Sequence, residues 1–242
     1  MKEEKPSIAV VWGAGGIGTA LTTQLVRQGQ YDQVIGVSRR KPDNPVAGAE
    51  CLVGDFLDEG SIQTVTSAVR ARGQLKLAIV ATGVLHDADV QPEKSMRSLS
   101  LNNLEHVHRV NCIGPSLVAK HFIPIMPNRE RSVFAAISAR VGSISDNRLG
   151  GWHAYRSSKA ALNMMLKGLS IEWTRRNPES VCVGLHPGTV DTDLSKPFQK
   201  GVPEQKLFSP EYSARMLIDT LNGLKNSDTG LVFDYAGEPV PA

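Results

Sequence analysis

Residues 7–18 place the strongest constraint on this chain. Ser7-Ile8-Ala9-Val10-Val11-Trp12 reads as a short buried strand, followed at once by Gly13-Ala14-Gly15-Gly16-Ile17-Gly18 and a helical run over 19–26. A strand that passes into a helix within so few residues needs backbone freedom that side chains would block. Gly13 permits the tight turn, Gly15 lets the backbone approach a ligand, and Gly18 lets the helix pack closely on the strand. Helix N–H groups and the positive end of the helix dipole then face outward, an arrangement suited to the pyrophosphate of a dinucleotide. A turn that merely joins strand to helix is the alternative reading.

Apolar, strand-like runs recur at 33–38, 50–54, 77–81, 132–138, 181–186 and 231–234, with helical stretches at 59–72, 95–126, 152–176 and 210–224. This alternation predicts an α/β fold, a Rossmann-like doubly wound parallel sheet of about seven strands with right-handed crossovers. A chain of 242 residues, 41% hydrophobic and 21% charged, suits a single domain over 1–242. Gly18, Ser38, Asp55, Ser138 and Pro187 all follow strands. The fold therefore gathers them at the carboxyl edge of the sheet, where such sheets hold ligands.

Several function classes are excluded. Formal net charge is only +3, and the basic residues are scattered except at Arg39-Arg40-Lys41 and 129–131, which is too little for a nucleic-acid groove. No apolar run approaches a membrane span, and the polar residues 1–6 precede an apolar stretch too short for a signal peptide. Cys51, Cys112 and Cys182 are odd in number and outside any CxxC pattern, so neither a disulfide framework nor a zinc site is expected. Reduced thiols in a cytoplasmic protein fit them. His106 and His108, two apart on a predicted helix, point away from each other, and no metal site is expected.

A second motif lies far from the first. Tyr155-Arg156-Ser157-Ser158-Lys159 precedes the apolar run 160–166. On a helix, that spacing puts phenol and ammonium on one face, one turn apart. A phenol titrates near ~10 in water, and a neighbouring cation favours the phenolate, making Tyr155 a usable general acid or base. An amphipathic tyrosine beside a solvated lysine is the other reading.

Taken in order, the glycine turn, Asp55, Asn111, a serine-bearing strand end, Tyr155 with Lys159, and His186-Pro187-Gly188-Thr189-Val190-Asp191-Thr192 resemble the short-chain dehydrogenase/reductase family. Residues 138–144 and 150–159 resemble its branch of bacterial C-factor proteins and sniffer-type carbonyl reductases. The resemblance implies a cofactor cradle of Gly13, Gly15, Gly16, Ile17, Gly18, Ser38, Arg39, Asp55, Gly83, Tyr155, Lys159, Pro187, Gly188, Val190 and Thr192. It also implies a catalytic group of Tyr155, Lys159 and Asn111, the asparagine distorting its helix and holding a water that leads to the lysine. Asp55 would meet the adenine amino group or, on the residues alone, cap the next helix. At the end of the second strand, Ser38-Arg39-Arg40 offers no acid for a ribose 2′-hydroxyl, while its guanidiniums suit a 2′-phosphate and Ser38 adds a donor. NADP is therefore expected over NAD, unless both arginines are ordinary surface charges.

The chain departs from its relatives in three places. Ser138-Ala139 replaces the usual pair of serines, leaving Ser138, by position, or Ser143, by its 12-residue interval from Tyr155, as the substrate-orienting hydroxyl. The glycine turn is one residue short, and Val80-Ala81-Thr82-Gly83 stands where Asn-Asn-Ala-Gly is usual. The expected function is an NADP-dependent oxidoreductase moving hydride between nicotinamide and a small-molecule carbonyl or alcohol. The alternative is a dinucleotide-sensing or cell-signalling protein with vestigial catalysis. A mobile substrate lid is expected around 191–209, carrying Leu194, Phe198, Leu207 and Phe208, and a homodimer or homotetramer through Met164, Met165, Leu166 and Trp173, residues that could equally face the sheet.

Overall fold

The computed structural model describes residues 5–88 and 90–242; residues 1–4, on which part of the signal-peptide expectation rests, lie outside them. Strands β1 (Ser7–Trp12), β2 (Gln33–Ser38) and β3 (Glu50–Val53) run to one side of the sheet. β4 (Gln74–Val80), β5 (Ser132–Ile137), β6 (Ser180–His186) and β9 (Val232–Asp234) run to the other. The order is β3-β2-β1-β4-β5-β6-β9, and every pairing is parallel. Strand order reverses between β1 and β4, which opens a crevice at their carboxyl ends.

Strand pleating explains the two-sided core. Ile8, Val10 and Trp12 of β1 face one layer with Phe122, Phe134, Leu162 and Trp173. Ala9 and Val11 face the opposite layer with Leu21, Leu25, Leu217 and Ile218. The first layer is covered by α2 (Glu59–Arg72), α4 (Gly114–Phe122) and α5 (His153–Thr174); the second by α1 (Gly16–Gln28) and α6 (Pro210–Gly223). A parallel sheet buried on both faces reads as continuous apolar runs, which is how these strands appear in the sequence.

The stretch 95–126 is mostly helical, as its sequence predicts, with α3 (Leu101–His108) running through a π-helical turn at Arg109–Ile113 into α4. One expectation is corrected. Leu166 and Trp173 do not offer themselves to a partner: both are buried against the sheet, whereas Met164 and Met165 lie on the opposite, exposed face of α5. The 3.6-residue period separates them. The lid stretch carries local structure of its own. It holds two 3-10 turns, and short strands β7 (Thr189–Val190) and β8 (Leu207–Phe208) pair across its ends. Among the described residues no helix is long and apolar enough to cross a membrane.

Candidate active site

At the carboxyl edge the glycine turn has the geometry that its sequence demands. Gly13 sits at φ +125°, and a Cβ there would meet Ala81 O at 2.9 Å. A Cβ on Gly18 would overlap Gly13 O at 2.1 Å, and one on Gly16 would meet Thr192 Cγ2 at 2.6 Å. A Cβ on Gly15 would meet nothing within 4 Å, and as the N-cap of α1 it gives no side-chain hydrogen bond. The first-turn N–H groups, Ile17 included, thus start a helix that no side chain caps, beside open space that an anion fits. Thr82 Oγ1, just past β4, and His186 Nδ1, at the end of β6, are buried without a partner among the described residues. Burial pushes the His186 imidazole down to about 4. A crevice lined by Gly13, Thr19, Ser38, Pro42 and Asn44 continues from the turn toward the end of β2. These residues fit a dinucleotide.

The 2′-phosphate determinants divide. Arg39 and Arg40 are exposed and form no ion pair among the described residues. Ser38 does not keep a free donor: its hydroxyl donates to Arg40 O at 2.6 Å and shapes the turn that carries the guanidiniums. Asp55 does not cap α2. That role belongs to Asp58, whose Oδ1 accepts from Gly60 N and Ser61 N, while Asp55 Oδ1 accepts from Leu57 N.

Tyr155 and Lys159 share one face of α5, as their spacing predicts. Lys159 is buried; its Nζ donates to Ile137 O at 2.8 Å and lies 5.7 Å from the Tyr155 ring centroid. The expected acidification of the phenol is corrected by burial. Loss of water pushes Tyr155 up to about 12 and Lys159 down to about 8.

Asn111 reaches the same place from the π-helical turn. Its Oδ1 accepts from Val84 N at 2.8 Å, and its Nδ2 donates to Val84 O and Ser158 Oγ at 2.8 and 3.1 Å. A Cβ on Gly83 would stand 3.4 Å from Asn111 Oδ1 and 3.6 Å from Lys159 Nζ, ordinary contact distances, so the three residues meet at one junction. The amide clamps the strand-end loop to both helices.

The two candidate serines are engaged elsewhere. Ser138 Oγ donates to Asn163 Oδ1 at 2.6 Å. Ser143 Oγ donates to Ala242 O at 3.3 Å and accepts from Asp146 N at 3.1 Å. Both are buried, and each hydroxyl serves the fold in this arrangement. Ala139, between them, has no hydroxyl to offer.

The Pro187 to Thr192 segment turns beneath this edge. Gly188 has φ +76°, and a Cβ there would meet the Phe208 ring at 2.6 Å. Ser213 donates to Pro187 O, and Thr192 Oγ1 donates to Val190 O at 3.4 Å. Phe208 packs against Tyr212 and Tyr235. Phe198 of the lid meets the aromatic group beside Tyr155, contacting Trp152 and His86. Trp152 and the buried Glu93 were not legible as site residues. Trp152 lies within the 150–159 run without a role that the run implies, Glu93 lies outside every motif, and the importance of both depends on a loop folding back onto α5.

The sequence model of the family described as short chain dehydrogenase matches residues 7–203. The chain belongs to the short-chain dehydrogenase family. It is by that membership an NAD(P)-dependent oxidoreductase. C-signal of Myxococcus xanthus is 38% identical to this dehydrogenase over 133 residues, covering 54% of this chain and 74% of that protein. The carbonyl reductase Sniffer of D. melanogaster superposes with a TM-score of 0.83 at 21% identity, covering 98% of this chain and 99% of that one. The NADPH-bound carbonyl reductase from chicken fatty liver also gives 0.83, at 24% identity over 97% and 98%. These two structures share the fold of this short-chain dehydrogenase.

Proposed function

We propose that the protein is an NADP-dependent carbonyl reductase, working on a small-molecule carbonyl and in reverse on the corresponding alcohol. The observation that carries this reading is the convergence of Lys159 and Asn111 at Gly83, with Tyr155 one turn from Lys159. Gly13, Gly15, Gly16, Ile17 and Gly18 would hold the pyrophosphate, Asp55 the adenine, and Arg39 the 2′-phosphate, with Arg40 beside it. Pro187, Gly188, Val190 and Thr192 would lie along the nicotinamide. NADP over NAD is supported by Arg39 and Arg40 and by the absence of an acid at the end of β2, and the chicken enzyme is NADPH-bound.

When bound, the reduced cofactor supplies a hydride to the carbonyl carbon. Tyr155, neutral at physiological pH, donates its proton to the carbonyl oxygen as negative charge develops there. Lys159 would hold the nicotinamide ribose with the donors that its bond to Ile137 O leaves over, and would serve as counter-charge to the phenolate. Asn111 fixes the loop bearing Gly83 and thereby the floor under Lys159.

A second reading, dinucleotide sensing or cell signalling with vestigial turnover, is favoured by Ala139 and by the engaged hydroxyls of Ser138 and Ser143. Steady-state oxidation of NADPH with a panel of aldehydes, ketones and quinones separates the two. Turnover that saturates with carbonyl supports the reductase. Tight NADPH binding with no carbonyl-dependent turnover contradicts it.

A further inference from the structure

We propose that Trp152 is a specificity-determining wall of the Tyr155 cleft, positioned by the buried carboxylate of Glu93, and that it favours carbonyls carried on flat aromatic or conjugated rings. The proposal rests on the reductase reading for its chemistry.

Three successive residues before α5 have left-handed backbone: Gly150 at φ 61°, Gly151 at φ 65° and Trp152 at φ 49°. Glycine adopts this region freely, but a bulky aromatic residue seldom does. Such an outlier persists only where its surroundings over-determine it, and these cluster at functional sites. Here the surroundings are Glu93. Its carbonyl oxygen accepts from Trp152 N at 2.5 Å, its Oε2 accepts from Ala154 N at 3.1 Å, and its Oε1 accepts from the Asn103 amide. Glu93 is 3% exposed, and Trp152 itself provides no side-chain cap for α5. The carboxylate thus caps the Tyr155 helix from outside, at the end where the helix dipole favours negative charge. Arg156 Nε closes the turn by donating to Gly151 O at 3.1 Å.

The strained conformation determines where the indole goes. Its ring stands edge-on to Tyr155, with centroids 6.4 Å apart and planes at 79°. It also meets Phe198 of the lid at 5.1 Å and 63°, and Phe198 meets His86 at 5.5 Å and 68°. His86 Nε2 lies 3.0 Å from Asp193 O, tying the same lid down. Three rings therefore run in sequence from the proton donor to the lid, with His86 a fourth behind Phe198, and the indole remains only half-buried. A planar ring attached to the reacting carbonyl gains stacked or edge contact with this wall, whereas an alkyl chain gains apolar contact alone. Trp152 touches substrate; Glu93 acts through it as a positioning residue.

The test compares benzaldehyde and hexanal with NADPH in the wild type, Trp152→Gly, Trp152→Phe and Glu93→Ala. Glycine suits the left-handed position, so Trp152→Gly removes the ring without breaking the turn. It is expected to lower kcat/KM for benzaldehyde about tenfold, mainly through KM, and to change hexanal less than about threefold. Trp152→Phe restores most of the preference, and Glu93→Ala lowers the benzaldehyde-to-hexanal ratio in the same direction. Calorimetric titration of benzyl alcohol into the NADPH-loaded protein, a pair with no hydride acceptor, reads the wall without turnover. Binding that depends on Trp152 supports the wall even if the reductase reading fails. Equal losses for both aldehydes, an unchanged ratio, or benzyl alcohol binding indifferent to Trp152→Gly would overturn the proposal.

Discussion

The ammonium of Lys159 lies over the face of the Tyr155 ring, 5.7 Å from its centroid, with its hydrogen bond going to Ile137 O and none to the phenolic oxygen. Sequence spacing predicts a cation that acidifies the phenol, yet in the folded protein the loss of water dominates both groups. The phenol stands at about 12 and the ammonium at about 8. A neutral phenol is a proton donor, the role that the proposed carbonyl reduction asks of Tyr155. Alcohol oxidation needs the phenolate, which the positive charge of an oxidised nicotinamide would favour.

The two directions should therefore respond differently to pH. Only the neutral phenol gives a proton, and only the phenolate takes one. Initial rates over about pH 6 to 8 should show reduction holding steady while alcohol oxidation climbs toward tenfold per unit. Equal profiles would contradict the assignment.

Lys159 should trade stability for function. Its folded-state pKa is lowered from 10.5 to about 8, so between these values the unfolded chain binds the proton that the folded chain has lost. Stability accordingly rises with pH through this window, and the burial penalty is largest below pH 8. Lys159→Met should stabilise the protein by about 1–2 kcal/mol at neutral pH, after subtracting the lost bond to Ile137 O. The gain should fade toward pH 10.5, while turnover falls at least about a hundredfold. Urea melts across pH check the first part and steady-state rates the second.

Arg39→Ala should weaken NADPH binding by about tenfold or more and leave NADH nearly unchanged, because a charge-assisted pair contributes about 1.5–3 kcal/mol. Fluorescence transfer to the reduced nicotinamide gives both constants. A preference for NADH in the wild type would contradict the phosphate reading.

Ala139→Ser supplies a hydroxyl where the fold has none to spare. It should raise kcat for carbonyl reduction by at least about tenfold, against the ~10²–10³ that a fully preorganised donor to a developing oxyanion supplies. Ser138→Ala and Ser143→Ala should each change kcat less than about threefold, since those hydroxyls bond Asn163 and Ala242. A collapse of turnover in either serine variant would show that its hydroxyl leaves its fold partner to act on substrate.

Much of this architecture was legible because it rests on local rules. The strand, glycine turn and helix of residues 7–28 follow from steric needs that glycine alone meets, and the Tyr155–Lys159 pair follows from helical period. What the sequence concealed depends on distant neighbours. No spacing rule says that Ser138 will find Asn163, or that Glu93 will fold back to cap α5. Spacing likewise put Lys159 beside Tyr155 without saying how little water remains, and that decides the direction of both titrations. The distortion at Asn111, by contrast, is the one that the family resemblance implies: a π-helical turn lies where the side chain clamps Val84.

The most direct test of the central claim is the rate of NADPH-dependent carbonyl reduction by Tyr155→Phe against the wild type, with NADPH affinity measured on the same preparations. Loss of the proton donor should lower kcat by about 10²–10⁴ while NADPH binds as before. Rates within a few fold of each other, on preparations that bind the cofactor equally, would contradict it.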